Sequence, residues 1–209
     1  MKSAIALRMR SVFAAFKAMV VLTVVIGVVY TGAVSLIGRF AFPEQAGGSL
    51  LTDSRGAVIG SIYIGQSFTD ARGRALARYF QSRPSATANA AGEASPYDAA
   101  DSSASNLGPF NAGQVALIGQ RRIEVARREH VRLSQVPADA VTASGSGLDY
   151  QISVAYADIQ VNRVAKARDL SVDTVDSFVA RCTAHRGLGF IGEEGVNVLE
   201  LNAALDRLG

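Results

Sequence analysis

The stretch AMVVLTVVIGVVYTGAVSLIG, residues 18–38, decides the architecture of this chain because it runs without a charged residue between Lys17 and Arg39. The hydrocarbon core of a bilayer is ~30 Å thick and takes about 20 apolar residues in helical form, so the run is long enough to cross it. A helix also satisfies its own backbone hydrogen bonds, which a bilayer requires. We therefore predict a transmembrane helix over residues 18–38.

The charges on either side of this helix predict its orientation. Four basic residues and no acidic residue precede it, and one of each follows: Lys2, Arg8, Arg10 and Lys17 before it, Arg39 and Glu44 after it. Basic residues stay preferentially on the cytoplasmic side of a membrane. We expect residues 1–17 to form a short cytoplasmic N-terminus and residues 42–209 to form an exported domain.

A cleaved signal peptide is the alternative interpretation of the same stretch, since Ala33 and Ser35 are small enough to form a cleavage site. The apolar run is longer than the ~7–15 residues of a usual signal core, and it lacks a clean A-x-A ending. The sequence therefore favours a retained anchor.

The composition limits what the exported part can be. The chain has 209 residues, a formal net charge of +3, one cysteine and two histidines. Cys182 has no partner for a disulfide within the chain, and His130 and His185 are too few for a metal site of His/Cys type. We therefore expect no metal. We also expect no nucleic acid, because the arginines in and just after a helix that we predict to end near His130 spread around its circumference as a solvated face: Arg121, Arg122, Arg127, Arg128 and Arg132.

The domain reads as α+β. Residues 49–53 and 57–64 predict a β-hairpin that turns at Ser54-Arg55-Gly56, and a short helical piece is expected to end at Tyr79-Phe80. Residues 87–105 are rich in Ala, Ser, Asp and Gly, which predicts a flexible surface loop with little to bury.

The second half of the domain is predicted to be mainly helical. Asn111, Ser153 and Ser171 are each placed to cap a helix, the first two ending near His130 and Arg168. Residues 196–201 predict a strand. We therefore predict one transmembrane helix followed by one mixed domain of helices and strands.

Three stretches together resemble one family. They are YFQSRPSA at 79–86, SNLGP at 105–109 and VTASGSGLD at 141–149. In this order, and after a single N-terminal helix, they resemble the C subunit (KdpC) of the Kdp-type potassium-transporting P-type ATPase of bacteria. The similarity covers nearly the whole chain.

The resemblance implies an accessory subunit in the bacterial inner membrane that is not an enzyme on its own. Such a subunit stabilises the ATP-driven potassium uptake complex and promotes ATP binding and hydrolysis by the catalytic subunit, in the manner of a catalytic chaperone. Its implied partners are the potassium-channel-like subunit, the catalytic P-type ATPase subunit and membrane lipid. No cofactor and no catalytic residue are implied in this chain itself, and ATP enters only through the complex.

The glycine-serine loop supplies the candidates for nucleotide or partner contact: Thr142, Ser144, Gly145, Ser146, Gly147 and Asp149. Glycines let backbone N–H groups approach a phosphate, and serines add hydroxyl donors. The chain has no G-x-x-x-x-G-K-[ST] motif, however, and a tight turn into a helix is the competing interpretation. An exported loop would also not meet cytoplasmic ATP.

Further candidates for partner contact come from the other motifs: Arg83, Ser85, Asn106, Gln160, Arg163 and Lys166. The Arg83 guanidinium, fixed beside Pro84, is suited to a forked contact with a partner's carboxylate or carbonyl oxygens. The alternative is that Arg83 fixes a loop of its own domain.

Two functions of other classes compete with the subunit. A hydrolase would need G-x-S-x-G, and Ser144 stands where the first glycine of that motif is required before Ser146. A membrane-anchored periplasmic binding module unrelated to transport is the second alternative. A pump subunit purifies with large membrane partners, whereas either alternative purifies alone.

Overall fold

The computed structural model describes residues 2–53 and 55–208, and it divides into one unit that ends at Ser49 and a second that begins at Leu50. Three predicted features reach beyond the described residues: the N-terminal segment begins at Met1, the hairpin turn includes Ser54 and the domain ends at Gly209.

The first unit is a continuous helix followed by a short one. It consists of α1 (Lys2–Leu22), a π-helical stretch (Thr23–Tyr30), α2 (Thr31–Ala41) and α3 (Pro43–Ala46). Met9–Ala41 is long and apolar enough to cross a membrane, and the apolar part of it is not buried by the protein. This helix contains the predicted residues 18–38 and fits a single-pass membrane protein.

The second unit begins with the predicted hairpin. Strand β1 (Leu50–Thr52) pairs antiparallel with β2 (Val58–Ser61), with Leu50 opposite Ser61. The Asp53 carboxylate accepts hydrogen bonds of 2.8 Å from the backbone N–H groups of Arg55 and Ala57, which fixes the turn. The prediction of a hairpin is confirmed.

Three helices begin at the predicted caps: α4 (Ala112–Glu129), α5 (Val154–Arg168) and α6 (Val172–Arg181). The side chains of Asn111, Ser153 and Ser171 each accept a hydrogen bond of 3.0–3.1 Å from the backbone N–H three residues on. His130 and Asp169 end the first two helices in the left-handed conformation, which agrees with the predicted ends. A 3-10 turn, Leu133–Gln135, follows α4.

A small antiparallel sheet and a final helix complete the domain. The strands lie in the order β3 (Gln151–Ile152), β5 (Gly195–Asn197), β4 (Thr183–Ala184), and α7 (Val198–Asp206) follows. The prediction of a strand over 196–201 is wrong beyond Asn197. The Asn197 side chain accepts a hydrogen bond of 3.1 Å from the Glu200 N–H and so caps α7.

The core lies where α5, α6 and α7 meet the sheet. Phe80 enters this core from a stretch without regular structure. The helices contribute side chains at helical spacing: Tyr156, Ala157, Val161, Val164, Val175, Val179, Leu201 and Leu205. The helical piece predicted to end at Tyr79-Phe80 is wrong, because residues 69–80 form turns and a single bridge between Thr69 and Ala75. The predicted fold class, an α+β domain after a single N-terminal helix, is confirmed.

Candidate functional site

The 79–86 segment, Tyr79–Ala86, lies in the domain as an extended chain that is held by side chains. The Phe80 N–H donates to Oδ1 of Asn202 at 2.9 Å, and Nδ2 of Asn202 donates to the Phe80 carbonyl at 3.0 Å. Gln160 makes the same pair of bonds to the next residue. The Gln81 N–H donates to Oε1 of Gln160 at 2.7 Å, and Nε2 of Gln160 donates to the Gln81 carbonyl at 3.2 Å. Both amide side chains are buried and stand in for a neighbouring strand. Gln160 has no exposed surface, so it lies beneath the segment and not on the domain surface.

Arg163 supports the start of the same segment. Its guanidinium donates to the carbonyls of Ala77 at 2.6 Å and Tyr79 at 3.0 Å, while Nε donates to Glu129 at 2.8 Å. The Glu129 carboxylate is fully buried and also accepts from Arg128 at 2.6 Å. A buried carboxylate is tolerated when it is paired in this way, so Arg163 and Glu129 together stabilise the segment.

Arg83 joins the segment to the 142–149 loop. Its Nη1 donates to Oδ2 of Asp149 at 2.8 Å, and both side chains are less than a third exposed. Nε and Nη2 donate to the carbonyls of Thr142 at 3.4 Å and Ala143 at 3.5 Å. The forked guanidinium therefore binds both ends of the loop at once, which a lysine could not reproduce.

Ser85 makes a second connection between the segment and the loop. Its Oγ donates to the Gly147 carbonyl at 2.7 Å and accepts from the N–H groups of Thr87 and Tyr97. Gly147 has φ +70°, and a Cβ there would lie 2.6 Å from both the Ser103 carbonyl oxygen and the Thr87 methyl carbon. Only glycine fits at this crossing.

Within the 142–149 loop the serine hydroxyls bond to the loop's own backbone. Ser144 Oγ accepts from the Gly147 N–H at 2.9 Å, and Ser146 Oγ accepts from the Leu148 N–H at 3.1 Å. These two N–H groups are therefore not directed at a ligand. Gly145 is different, since it is exposed and no other atom lies within 4 Å of the place its Cβ would take.

The segment 87–105, predicted as a surface loop, packs against this site at two points. Thr87 is 3 % exposed; its N–H donates to Ser85 Oγ at 3.3 Å, and its hydroxyl donates to the Ser95 carbonyl within the segment. The Tyr97 hydroxyl donates to the Arg83 carbonyl, and burial raises the pKa of Tyr97 well above its usual range. The Asp101 carboxylate accepts a hydrogen bond from the Ala88 N–H at 2.9 Å, which joins the two ends of the segment and is the main cause of the lowered pKa of Asp101. The amino-acid composition of residues 87–105, from which we predicted a loop with little to bury, does not reveal individual contacts of this kind.

The remaining predicted partner contacts lie apart from this junction. Asn106 is exposed with φ +52°, and Lys166 is exposed on α5. The sequence missed Asn202 and Glu129, whose partners Phe80 and Arg163 lie 122 and 34 positions away. It also missed Thr87 and Tyr97, whose partners Ser95 and Arg83 lie 8 and 14 positions away in stretches without regular structure. Among the described residues, no group of three or more His, Cys, Asp or Glu side chains is placed to hold a metal ion.

A long apolar helix followed by an α+β domain, whose sequence motifs bond to one another, fits the class of single-pass membrane proteins with one mixed domain. Residues 12–207 match the family described as "KdpC: K+-transporting ATPase, c chain". The chain belongs to this KdpC family.

Relatives named "Potassium-transporting ATPase KdpC subunit" cover the chain at high identity. The one from Mycobacterium tuberculosis is 46 % identical over 200 residues, which is 95 % of this chain and 99 % of the relative. The one from Methylococcus capsulatus is 46 % identical over 190 residues, 91 % and 94 % of the two chains. The one from Burkholderia orbicola is 48 % identical over 188 residues, 90 % and 91 %.

Proposed function

We propose that this chain is an accessory subunit of a potassium-transporting ATPase, that it stabilises the assembled complex and that it promotes ATP binding and hydrolysis by the catalytic subunit. The observation that carries the proposal is the family match over residues 12–207, which includes both the apolar helix and the domain. The partners are a potassium-channel-like subunit and the catalytic subunit, where ion selection and ATP hydrolysis take place.

The helix anchors the chain in the bacterial inner membrane with the N-terminus inside and the domain outside. The excess of basic residues before Ala18 supports this orientation. Fusion of reporters after Gly209 tests it. Activity of a reporter that works only after export is expected, and activity of one that works only in the cytoplasm would contradict the orientation.

The chain acts on ATP affinity through its partners and not by holding nucleotide in the 142–149 loop. Two loop N–H groups are bonded to serine hydroxyls of the loop itself. The nearest guanidinium, Arg83, is paired with Asp149, whose negative charge would repel a phosphate. The coupling requires contacts that differ between two states of the pump.

The surface that we assign to partner contact is the junction of the 79–86 segment and the 142–149 loop, together with Asn106 and Lys166. Arg83 and Ser85 hold the two stretches in one geometry, and the open position at Gly145 lies on the outside. Gln160 and Arg163 contribute from beneath, by holding the backbone of the segment. A preorganised surface of this kind binds without a large ordering cost.

Co-purification of the full chain with its two partner subunits tests the proposal. The unmodified chain is expected to emerge in a stoichiometric complex, with Gly145→Val weakening retention and Arg122→Ala, a change of an exposed arginine on α4, leaving it unaffected. A chain that always emerges alone would instead support a binding module or hydrolase.

A further inference from the structure

A groove lies between α5 and α6, on a part of the domain that none of the motifs occupies. It has a volume of about 520 Å³ and opens to solvent. Aliphatic side chains and three carboxylates line it: Val154, Val161, Val172, Val179, Asp158, Asp176 and Glu194. The groove therefore combines an apolar surface with a concentration of negative charge.

Within the part of the chain that the structure describes, no lysine or arginine forms an ion pair with the carboxylates of this groove. Asp158 and Asp176 form no ion pair among the described residues, and Glu194 pairs only with His185, at 3.1 Å. Burial and the charge of Asp176 both raise the pKa of Asp158. A cation entering the groove would relieve this repulsion.

An apolar hairpin stands next to the groove. The 186–192 hairpin follows β4, and reciprocal backbone bonds of 2.8 Å between Gly187 and Ile191 close it. Its large side chains point into solvent, with Leu188 84 %, Phe190 75 % and Ile191 57 % exposed. The pair at its base, His185 and Glu194, also lines the groove, so hairpin and groove form one continuous surface.

We propose that the α5–α6 groove and the 186–192 hairpin form a docking surface for a polypeptide segment of a partner subunit that presents Lys or Arg among aliphatic residues. The proposal rests on the proposed function and adds a second contact face to it. Aliphatic side chains of the segment would pack on the valines and the hairpin tip, while its basic side chain would meet the carboxylates.

Charge distinguishes this occupant from a lipid surface. Bilayer-binding loops combine apolar side chains with basic residues, because bacterial headgroups carry negative charge. Here the hairpin carries one basic residue, Arg186, whereas Glu193 and Glu194 follow the hairpin and Glu194 lines the groove together with its two aspartates. Such a surface is repelled by anionic headgroups and attracts a basic polypeptide.

Titration of the full-length chain into a complex of its partner subunits in nanodiscs tests the surface. Leu188→Ser combined with Phe190→Ser is expected to weaken binding by about tenfold or more, as loss of two apolar anchors does. Leu133→Ser, which alters an exposed leucine in the 3-10 turn, is the matched control and should bind as the unmodified chain does. Melting temperatures check that the altered residues, all exposed, leave folding intact.

The contribution of the groove carboxylates is tested by measuring how binding depends on salt concentration. Binding of the unmodified chain should weaken as salt rises, and Asp158→Asn combined with Asp176→Asn should flatten this dependence. The proposed docking surface would be overturned if the Leu188→Ser, Phe190→Ser variant bound with unchanged affinity and the binding of the Asp158→Asn, Asp176→Asn variant depended on salt as that of the unmodified chain does. Failure of the unmodified chain to bind would overturn the proposed function and the surface with it.

Two other occupants have their own tests. The chain contains no tryptophan, so Phe190→Trp places a single reporter at the tip. Quenching of that tryptophan by brominated lipids, in liposomes holding this chain alone, would overturn the proposal in favour of the bilayer. If the full chain associates with itself and the Leu188→Ser, Phe190→Ser variant does not, the occupant of the docking surface is a second copy of this chain and the proposal is overturned. An unquenched, monomeric chain supports the partner segment.

Discussion

Asp149 accepts a 2.8 Å hydrogen bond from Arg83 across 66 positions of sequence, and this ion pair joins two of the three sequence motifs, the 79–86 segment and the 142–149 loop. The same guanidinium donates to the carbonyls of Thr142 and Ala143, so the arginine closes the loop as well as neutralising the aspartate. The Arg83 guanidinium thus fixes a loop of its own domain, and the surface that this loop presents is where we propose the partner contact.

Loss of the guanidinium should destabilise the domain. Arg83→Ala is expected to lower the free energy of unfolding by about 2 kcal/mol, since it leaves a mostly buried carboxylate without its charged partner. Arg83→Lys should recover part of this, because an ammonium restores the charge but not the fork. Thermal unfolding of the full chain measures both, with Arg122→Ala as control. Equal stability of Arg83→Ala and Arg122→Ala would contradict the role of the pair.

Substitution of two glycines in the 142–149 loop should lower the stability of the domain by very different amounts. Gly147→Ala is expected to cost about 2–4 kcal/mol, because φ +70° is strained for alanine and its Cβ would meet Ser103 and Thr87. Gly145→Ala should change stability by less than ~0.5 kcal/mol, since the space beside Gly145 is open. Denaturation of the two variants side by side gives the difference. Similar losses at both positions would mean that the crossing at Gly147 is not tight.

The buried amides should carry much of the stability of the 79–86 segment. Asn202→Ala leaves the Phe80 N–H and carbonyl buried without partners, so we expect a loss of about 2–3 kcal/mol. Gln120→Ala, a change of an exposed amide on α4, should stay within ~0.5 kcal/mol of the unmodified chain. Chemical denaturation measures both changes. A small effect of Asn202→Ala would show that water replaces the lost bonds.

Tyr97 should make the domain sensitive to alkaline pH. In the unfolded chain a tyrosine titrates near pH ~10, and burial raises the pKa of Tyr97 in the folded domain. The folded state then holds the proton more tightly, so stability is full below about pH 10 and falls as pH rises above it. Tyr97→Phe is expected to make this fall shallower. An identical slope in the two proteins would contradict the buried, donating hydroxyl.

The sequence predicted those features that depend on neighbouring residues. The caps at Asn111, Ser153 and Ser171 act within three residues, and all three helices begin where they were expected. The uncharged run at 18–38 likewise predicted the apolar helix by length alone. Local chemistry is sufficient for such features.

The predictions of secondary structure were wrong where contacts with residues far along the chain determine the conformation. Residues 69–80 have the composition of a short helix, but Asn202 and Arg163 bond to the end of this stretch from more than 80 positions away. The apolar run after Val196 resembles a strand, but the strand ends at Asn197. The Asn197 side chain donates to the Ile62 carbonyl from 135 positions away and also caps α7. At the site, the motifs were visible in the sequence, whereas the pairing of Arg83 with Asp149 required the fold.

We propose that this chain changes the ATP response of partner subunits without binding nucleotide itself. The most direct measurement is the ATP dependence of potassium-stimulated hydrolysis by the partner subunits in membranes, with and without the full-length chain. The account predicts that adding the chain lowers the KM for ATP or raises the maximal rate, while the chain alone binds no ATP in equilibrium dialysis. A hydrolysis curve that does not change on addition of the chain would contradict the account, and so would ATP binding by the chain alone.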